Sequence, residues 1–246
     1  MENIFKLSYS KITDFLSCPK KFQLKHILNL EEEFKETIYT ALGSSIHSAI
    51  EESLKKDFDY DACLCIFKRE LNKHIDNIET KEKQLLFLPT WYNKGEVILT
   101  YFYSHYYNKL KGKVLEAEKY FSYPITIKNI NILFNGIIDL IYQDEGGIKI
   151  IDWKTGKKQT KKDDFQLRIY ALVLNKLFNM DVKEFEYVFL KEKTKNKKDV
   201  NNKILEQTEK ELYDIIEKIL NTSDFERNYT SNCRYCSVRN QCESSI

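Results

Sequence analysis

The spacing of apolar positions changes twice along the chain. From Ser8 to about Gly112 they recur at helical intervals. Within 8–30, Ile12, Phe15, Leu16, Phe22 and Leu24 form a helical pattern that Cys18-Pro19 interrupts. Ser8 or Ser10 can cap its start, and Pro19 ends one helix or begins the next. Residues 39–57 carry a second stripe of Ala41, Leu42, Ile46, Ala49, Ile50 and Leu54, and 60–112 read as mostly helical with a break near Leu88-Pro89. From Val114 the period drops to two. Val114–Ile127, Ile130–Tyr142 and Ile148–Lys154 read as a three-strand meander. Residues 163–180 then form a strongly apolar helix, Glu184–Leu190 a strand and 208–221 an amphipathic helix. Helices, a meander, a crossover helix, a strand and a last helix predict an α/β fold with a mixed sheet flanked by helices.

The chemistry concentrates in Gly136–Gly156, GIIDLIYQDEGGIKIIDWKTG. Two Ile-rich runs around Asp144-Glu145-Gly146-Gly147 read as a β-hairpin. With Glu145 and Gly146 as the loop, Asp144 pairs with Gly147, and Asp139 falls opposite Asp152. Opposed Cβ atoms lie roughly 5 Å apart. Lys154, two residues beyond Asp152, shares that face. Two carboxylates this close repel, and a divalent cation would bind both. A solvated hairpin with an Asp–Lys salt bridge is the plainer alternative.

Charge and composition narrow the setting. The net charge of +2 does not by itself mark a nucleic-acid binder, but its distribution is uneven. Five lysines and no acid occupy Lys154–Lys162, and six lysines against Glu192 and Asp199 occupy Lys191–Lys203. The first run follows the hairpin, where it would attract a polyanion. The second reads equally well as a solvated face or mobile loop. No signal peptide and no bilayer-length apolar run are visible, so a soluble, cytoplasmic protein without membrane contact is expected. The dense aromatics Trp91, Tyr92, Tyr101, Phe102, Tyr103, Tyr106 and Tyr107 read as core, with base stacking as the alternative. Cys63 and Cys65 read as packing residues on different helix faces. His47 beside its apolar stripe reads as a core histidine. Gly43, one turn earlier, hints at tight packing.

The tail carries Cys233, Cys236 and Cys242. C-x2-C lets two thiolates grip one metal, and in a reducing compartment clustered cysteines suggest a metal before disulfides. Three are one short, and Cys18 in its Cys-Pro turn is the obvious fourth. Zinc with four thiolates satisfies the spacing, and free thiols are a third option.

Taken in order, these residues resemble the RecB-like branch of the PD-(D/E)XK nuclease superfamily, in particular its iron–sulfur members. These include the CRISPR-associated adaptation nuclease, the AddB nuclease domain and the mitochondrial single-strand exonucleases. The resemblance runs from Ser8 to Cys242 through Ser8/Ser10 and Cys18-Pro19, Gly43-x-x-x-His47, Gly136-x-x-Asp139 and Asp152-Trp153-Lys154-Thr155-Gly156. It continues through Gln166-x-x-x-Tyr170 and Cys233-x2-Cys236-x5-Cys242. Trp153 stands where the family more often has Tyr.

The resemblance implies a restriction-endonuclease-like core within one nuclease domain, 1–246. Residues 1–112 would be mainly helical, 113–222 the core, and 223–246 with Cys18 a cluster-binding staple. It implies Mg²⁺ or Mn²⁺ on His47, Asp139, Asp152 and the Trp153 carbonyl, with Lys154 acting on the attacking water. Gln166 and Tyr170 would hold DNA or the lysine. Cys18, Cys233, Cys236 and Cys242 would carry a [4Fe–4S] cluster. The implied activity is DNA hydrolysis, as an exonuclease preferring single strands. The alternative is a DNA-end-binding subunit working with a CRISPR integrase or recombination proteins.

Overall fold

A computed structural model describes residues 5–32, 36–78, 87–156 and 164–243. Most of the first lysine run, 157–162, lies outside the described residues, as do 79–86 of the helical stretch and Asp163. Among the described residues no helix is long and apolar enough to cross a membrane. The chain groups into two compact units, Glu36–Tyr120 with Ile137–Thr208, and Met1–Lys35 with Phe121–Gly136 and Glu209–Ile246.

In the larger unit, α1 (Ile38–Lys56) begins with a reciprocal cap. The Thr37 hydroxyl accepts from the Thr40 N–H at 3.3 Å, and the Thr40 hydroxyl accepts from the Thr37 N–H at 2.9 Å. Asp59 caps α2 (Tyr60–Ile75), accepting from the Ala62 N–H at 2.9 Å. Pro89 stands in the first turn of α3 (Leu88–Phe102), where its missing N–H costs nothing.

These helices bury their stripes against one face of a mixed sheet. Ile46, Ile50, Phe67, Leu71, Leu99 and Phe102 form one core with Leu140, Ile151, Trp153 and Val188. The Trp153 ring meets Phe102 edge-on at 5.6 Å and Tyr106 at 5.4 Å. Much of the aromatic-rich stretch is therefore core, as its helical spacing suggests. Truncating the fully buried Phe102 to Ala would cost about 3–5 kcal/mol. Cys63 is buried, but Cys65 is exposed. A step of two residues turns a helix through roughly 200°, and here that carries Cys65 to the solvent side.

The sheet of this unit is built on a hairpin. The second half of β3 (Ile130–Asp144) pairs antiparallel with β4 (Gly147–Lys154). Gly147 sits at φ +100°, a conformation a side chain would strain. β5 (Val182–Phe189) joins β4 in parallel after the crossover helix α4 (Phe165–Phe178), which packs against both strands. β6 (Thr194–Asp199) then pairs antiparallel with β5.

Part of Lys191–Lys203 is thus a strand and not a loop, although it keeps the solvated face that is the other reading of the run. Thr194–Asp199 forms an exposed edge strand in which Lys197 pairs with Glu184 at 2.9 Å and Lys195 with Glu186 at 3.1 Å, while Lys191 and Lys193 precede it in a turn. Cross-strand charge pairs hold it, and edge lysines discourage further strand addition. Without apolar residues, its period of two is invisible to hydrophobic patterning.

In the smaller unit, β1 (Phe5–Ser8) pairs in parallel with the start of β3, Phe5 opposite Ile132 and Ser8 opposite Asn135. At four residues it is too short to show a period. β2 (Val114–Ile127) contributes to both units and turns into β3 at Lys128-Asn129. Both turn residues have positive φ, +50° and +63°, as a type I′ hairpin turn requires. Ser8 accepts from the Lys11 N–H at 3.3 Å and caps α5 (Tyr9–Ser17). Pro19 opens α6 (Pro19–Phe22), with Cys18 between the two helices. Ile12 and Phe15 of the expected stripe are buried, whereas Leu16 is half exposed because it faces away from them. Phe22 packs between Phe15 and Phe225, at 5.5 and 6.3 Å. The last long helix, α7 (Asn202–Asn221), starts six residues earlier than the expected 208, because Asn201 accepts from the Ile204 N–H at 3.0 Å and caps it.

Candidate metal centre and active site

The β3–β4 register is the one that Glu145 and Gly146 dictate as loop residues. Asp144 pairs with Gly147, Gln143 with Ile148 and Leu140 with Ile151. One step further places Asp139 beside Asp152. The two strands are tied there by the Trp153 N–H, which donates to Asp139 Oδ2 at 2.8 Å. Because the Trp153 ring is buried on the opposite face, its backbone is the part of it that meets the carboxylates. Lys154 shares the Asp152 face and forms an ion pair with Asp152 Oδ2. Lys154 also donates to Gln166 Oε1 at 3.3 Å, and Gln166 Nε2 donates to the Tyr170 hydroxyl at 2.8 Å. Four-residue spacing on α4 puts those two side chains in line with the lysine.

His47 arrives from α1. Its Nδ1 lies 3.5 Å from Asp139 Oδ2 and 3.7 Å from Glu118 Oε1. Gly43, one turn earlier, lets the helix approach β4, since a Cβ there would stand 3.0 Å from Thr155 Oγ1. A cavity of about 570 Å³ runs along α1 from Tyr39 to His47 and reaches Glu118 and Thr155.

The electrostatics suit a cation. Burial, and then the neighbouring charge of Asp152, push the Asp139 carboxyl well above the usual carboxylate range. Burial opposes charge on His47, but the negative charges of Asp139 and Glu118 outweigh it and raise its pKa to about 9. Protons here occupy positions that a metal ion would take. One ligand atom each from His47, Glu118 and Asp139 can lie within 4.8 Å of one another. Imidazole nitrogen with carboxylate oxygens, next to the buried Asp152 carboxylate, is a donor set that fits a hard divalent cation.

Glu118 is the residue the sequence did not disclose. It belongs to β2 but adopts φ +50°, a conformation rare for any residue but glycine, asparagine or aspartate. The available signal was a gap in apolar alternation, Glu118-Lys119-Tyr120 between the buried Ala117 and Phe121.

In the smaller unit, Cys18, Cys233, Cys236 and Cys242 line one cavity of about 530 Å³, all as free thiols. The Asn228 N–H points at the Cys18 sulfur and the Thr230 N–H at the Cys233 sulfur, each at 3.5 Å. Four thiols lining one space are a donor set that a soft metal centre could use, but no three of the four sulfurs lie within 4.8 Å of one another, and burial pushes the Cys242 thiol up.

A mixed sheet with a carboxylate pair, a histidine and a lysine beside a long cleft defines a class: α/β proteins that carry out metal-assisted hydrolysis. A sequence profile of the PD-(D/E)XK nuclease superfamily matches residues 6–243, and the chain belongs to that superfamily. Family and donor set together make it a metal-dependent nuclease. Among solved structures, the "Putative exonuclease" of Eubacterium rectale is similar in fold, with a TM-score of 0.57 at 14% identity over 94% of this chain and 87% of that one. A second, SSO0001, aligns at 13% identity over 100% of this chain and 90% of its own, with a TM-score of 0.40. No curated protein matches the chain in sequence.

Proposed function

We propose that the protein is a Mg²⁺- or Mn²⁺-dependent deoxyribonuclease that acts on single-stranded DNA as an exonuclease. The observation that carries this reading is the convergence of His47, Glu118, Asp139 and Asp152 on one side of Lys154. The first four residues and the Trp153 carbonyl are the ligand candidates. An ion held there would polarise a phosphate oxygen and lower the pKa of a bound water. The chain's own groups do the rest. Lys154, an ammonium steadied by Gln166 and Tyr170, orients the attacking water and offsets charge on the phosphate, while the water's proton passes to solvent, which also supplies the proton for the departing oxygen. The water oxygen bonds to phosphorus, the bond to the departing strand breaks, and the departing oxygen is protonated.

We further assign the four thiols to a [4Fe–4S] cluster, as in the iron–sulfur branch of the family. Its role is structural, because hydrolysis moves no electrons. Zinc would serve the same mechanical purpose. The test is a digest of 5′- and 3′-labelled single-stranded DNA with Mn²⁺, Mg²⁺ or chelator. Metal-dependent release of mononucleotides from one end is expected. Internal cuts would make it an endonuclease, and no cleavage with either metal would overturn the reading.

A further inference from the structure

A second cavity, of about 510 Å³, lies on the sheet face opposite the catalytic carboxylates. The register fixes this. Asp152 is paired with Tyr187 and Ile151 with Glu186, so Glu186 points away from the metal centre. Tyr142 on β3 and Lys195 on β6 line the cavity with it, and Tyr101, His105 and Lys109 close it from the helical side.

Its two acids are committed. Glu186 is buried and faces Lys195 at 3.1 Å, while Asp144 holds Lys149 at 2.8 Å. Lys109, Lys113 and Lys193 border the same cavity and are exposed; none forms a direct ion pair among the described residues, although, after the Lys149 hydrogen bond, the charge of Lys113 contributes to holding the Asp144 carboxyl below its ordinary value. The space is therefore electropositive. Beside these lysines the Tyr101 and His105 rings lie 4.3 Å apart and only 33° from parallel. The Lys193 ammonium lies 5.9 Å from the Tyr101 ring centre and that of Lys109 6.0 Å from Tyr106. Aromatic surface edged by exposed cations matches a nucleotide with its base unstacked, and a cavity of this size is in the range of small-ligand sites.

We propose that this cavity is a second nucleic-acid contact. It takes a nucleotide of a single strand, the base against Tyr101 and His105 and the phosphate among Lys109, Lys113 and Lys193. A duplex base is already stacked on its neighbours and cannot reach the rings, so the contact selects unpaired DNA. It unites two features the catalytic site leaves unused, the aromatic helix and the second lysine run. The proposal rests on DNA being the substrate.

The test compares the full-length wild type, Lys109→Glu/Lys113→Glu, Tyr101→Ala and Tyr101→Phe. Strand binding is read by anisotropy of labelled oligothymidylate in chelator, and cleavage is read on a trinucleotide and on a long strand. Both lysines are exposed, so their replacement should leave thermal stability unchanged. The double variant should bind the long strand at least ~10-fold more weakly, with a log–log salt slope shallower by roughly 0.7 per lysine. Tyr101→Ala should weaken it about 10-fold and Tyr101→Phe should restore it. Trinucleotide cleavage should be unchanged in all of them.

Wild-type affinity in the double variant would overturn the site while leaving the nuclease reading intact. Equal losses on trinucleotide and long strand would assign these residues to the catalytic cleft and also overturn it. If inorganic tripolyphosphate displaced the strand while Tyr101→Ala bound normally, the base-stacking half would be wrong. A wild type that cuts nothing, yet whose strand binding falls in the double variant, would sink the nuclease reading and keep the site.

Discussion

The two candidate metal sites are built in opposite ways. Asp139, Asp152 and Lys154 come from a single hairpin, and one two-residue loop sets their register. Cys18 and Cys242 come from opposite ends of the chain. The first site offers oxygen and imidazole, suited to a hard ion that exchanges ligands with substrate. The second lines one cavity with four cysteines, which as thiolates would suit a centre that is held and not exchanged. Local construction tolerates a costly cluster of like charge because the hairpin forms without it. Long-range construction would make a metal bound there part of the fold, since closing so long a loop removes chain entropy from the unfolded state. The contrast predicts that damage to the first site costs rate and damage to the second costs stability.

The largest effect should follow from Asp152→Ala. Removing this carboxylate takes away a ligand candidate and relieves the repulsion that pushes Asp139 upward. Cleavage should fall by at least ~10³-fold, while the melting temperature and the metal content of the thiol site stay at wild-type values. Retained activity would break the assignment of this face to catalysis. Loss of stability in step with rate would erase the contrast between the sites.

Cys18→Ala is the converse. Cys18 would share its ligand with residues from the other end of the chain, so its loss should release the metal and destabilise the protein by several kcal/mol, as Cys236→Ala should. Anaerobically purified wild type should be brown, with iron and sulfide by elemental analysis. One equivalent of zinc in colourless protein would overturn iron and keep the staple. Full metal content in Cys18→Ala would remove Cys18 from the site.

Lys154→Ala sharpens the first site from within. Lys154 is one of many cations but the one paired with Asp152 and Gln166. Its loss should lower the single-turnover rate by ~10²–10⁴-fold with affinity for DNA little changed. A parallel loss of affinity would make it an ordinary phosphate contact.

The same contrast explains what could be read in advance. The hairpin was legible because its loop was two residues long and its side-chain period is two, so register arithmetic carried Asp139 to Asp152. His47 was legible as a ligand through the resemblance, since its own pattern resembles a core histidine. Glu118 was not legible, because it reaches the site through a backbone conformation that its residue type does not announce. β6 was hidden for a different reason. It is held by lysine–glutamate pairs, and hydrophobic patterning cannot see a strand without apolar residues. β1 is simply too short. Cys18 could be grouped with the tail cysteines by counting ligands, but no local pattern fixes its distance from them.

The smallest predicted effect concerns what holds Cys18 in place. Asp14, one turn before it on α5, accepts the Cys18 N–H on its backbone carbonyl at 2.9 Å. Its carboxylate bonds Lys21 at 2.6 Å and His26 at 2.9 Å. Burial alone would raise the Asp14 pKa, but the hydrogen bonds from His26 and Lys21 and the charge of Lys25 outweigh it, and the pKa lies below its ordinary value. A depressed carboxyl binds fewer protons in the folded state than in the unfolded one. Its stabilisation is therefore fully present above the unfolded value, roughly 4, and is lost as pH falls through the lower folded value. Asp14→Asn should lower stability by about 1–3 kcal/mol at pH 7, measured by urea unfolding of the metal-free chain. The gap between variant and wild type should narrow below about pH 4. A gap that stays constant across that range would mean that Asp14 acts by shape and not by charge. A gap that is also absent at pH 7 would mean that the corner holding Cys18 is maintained by Phe15, Phe22 and Phe225 alone.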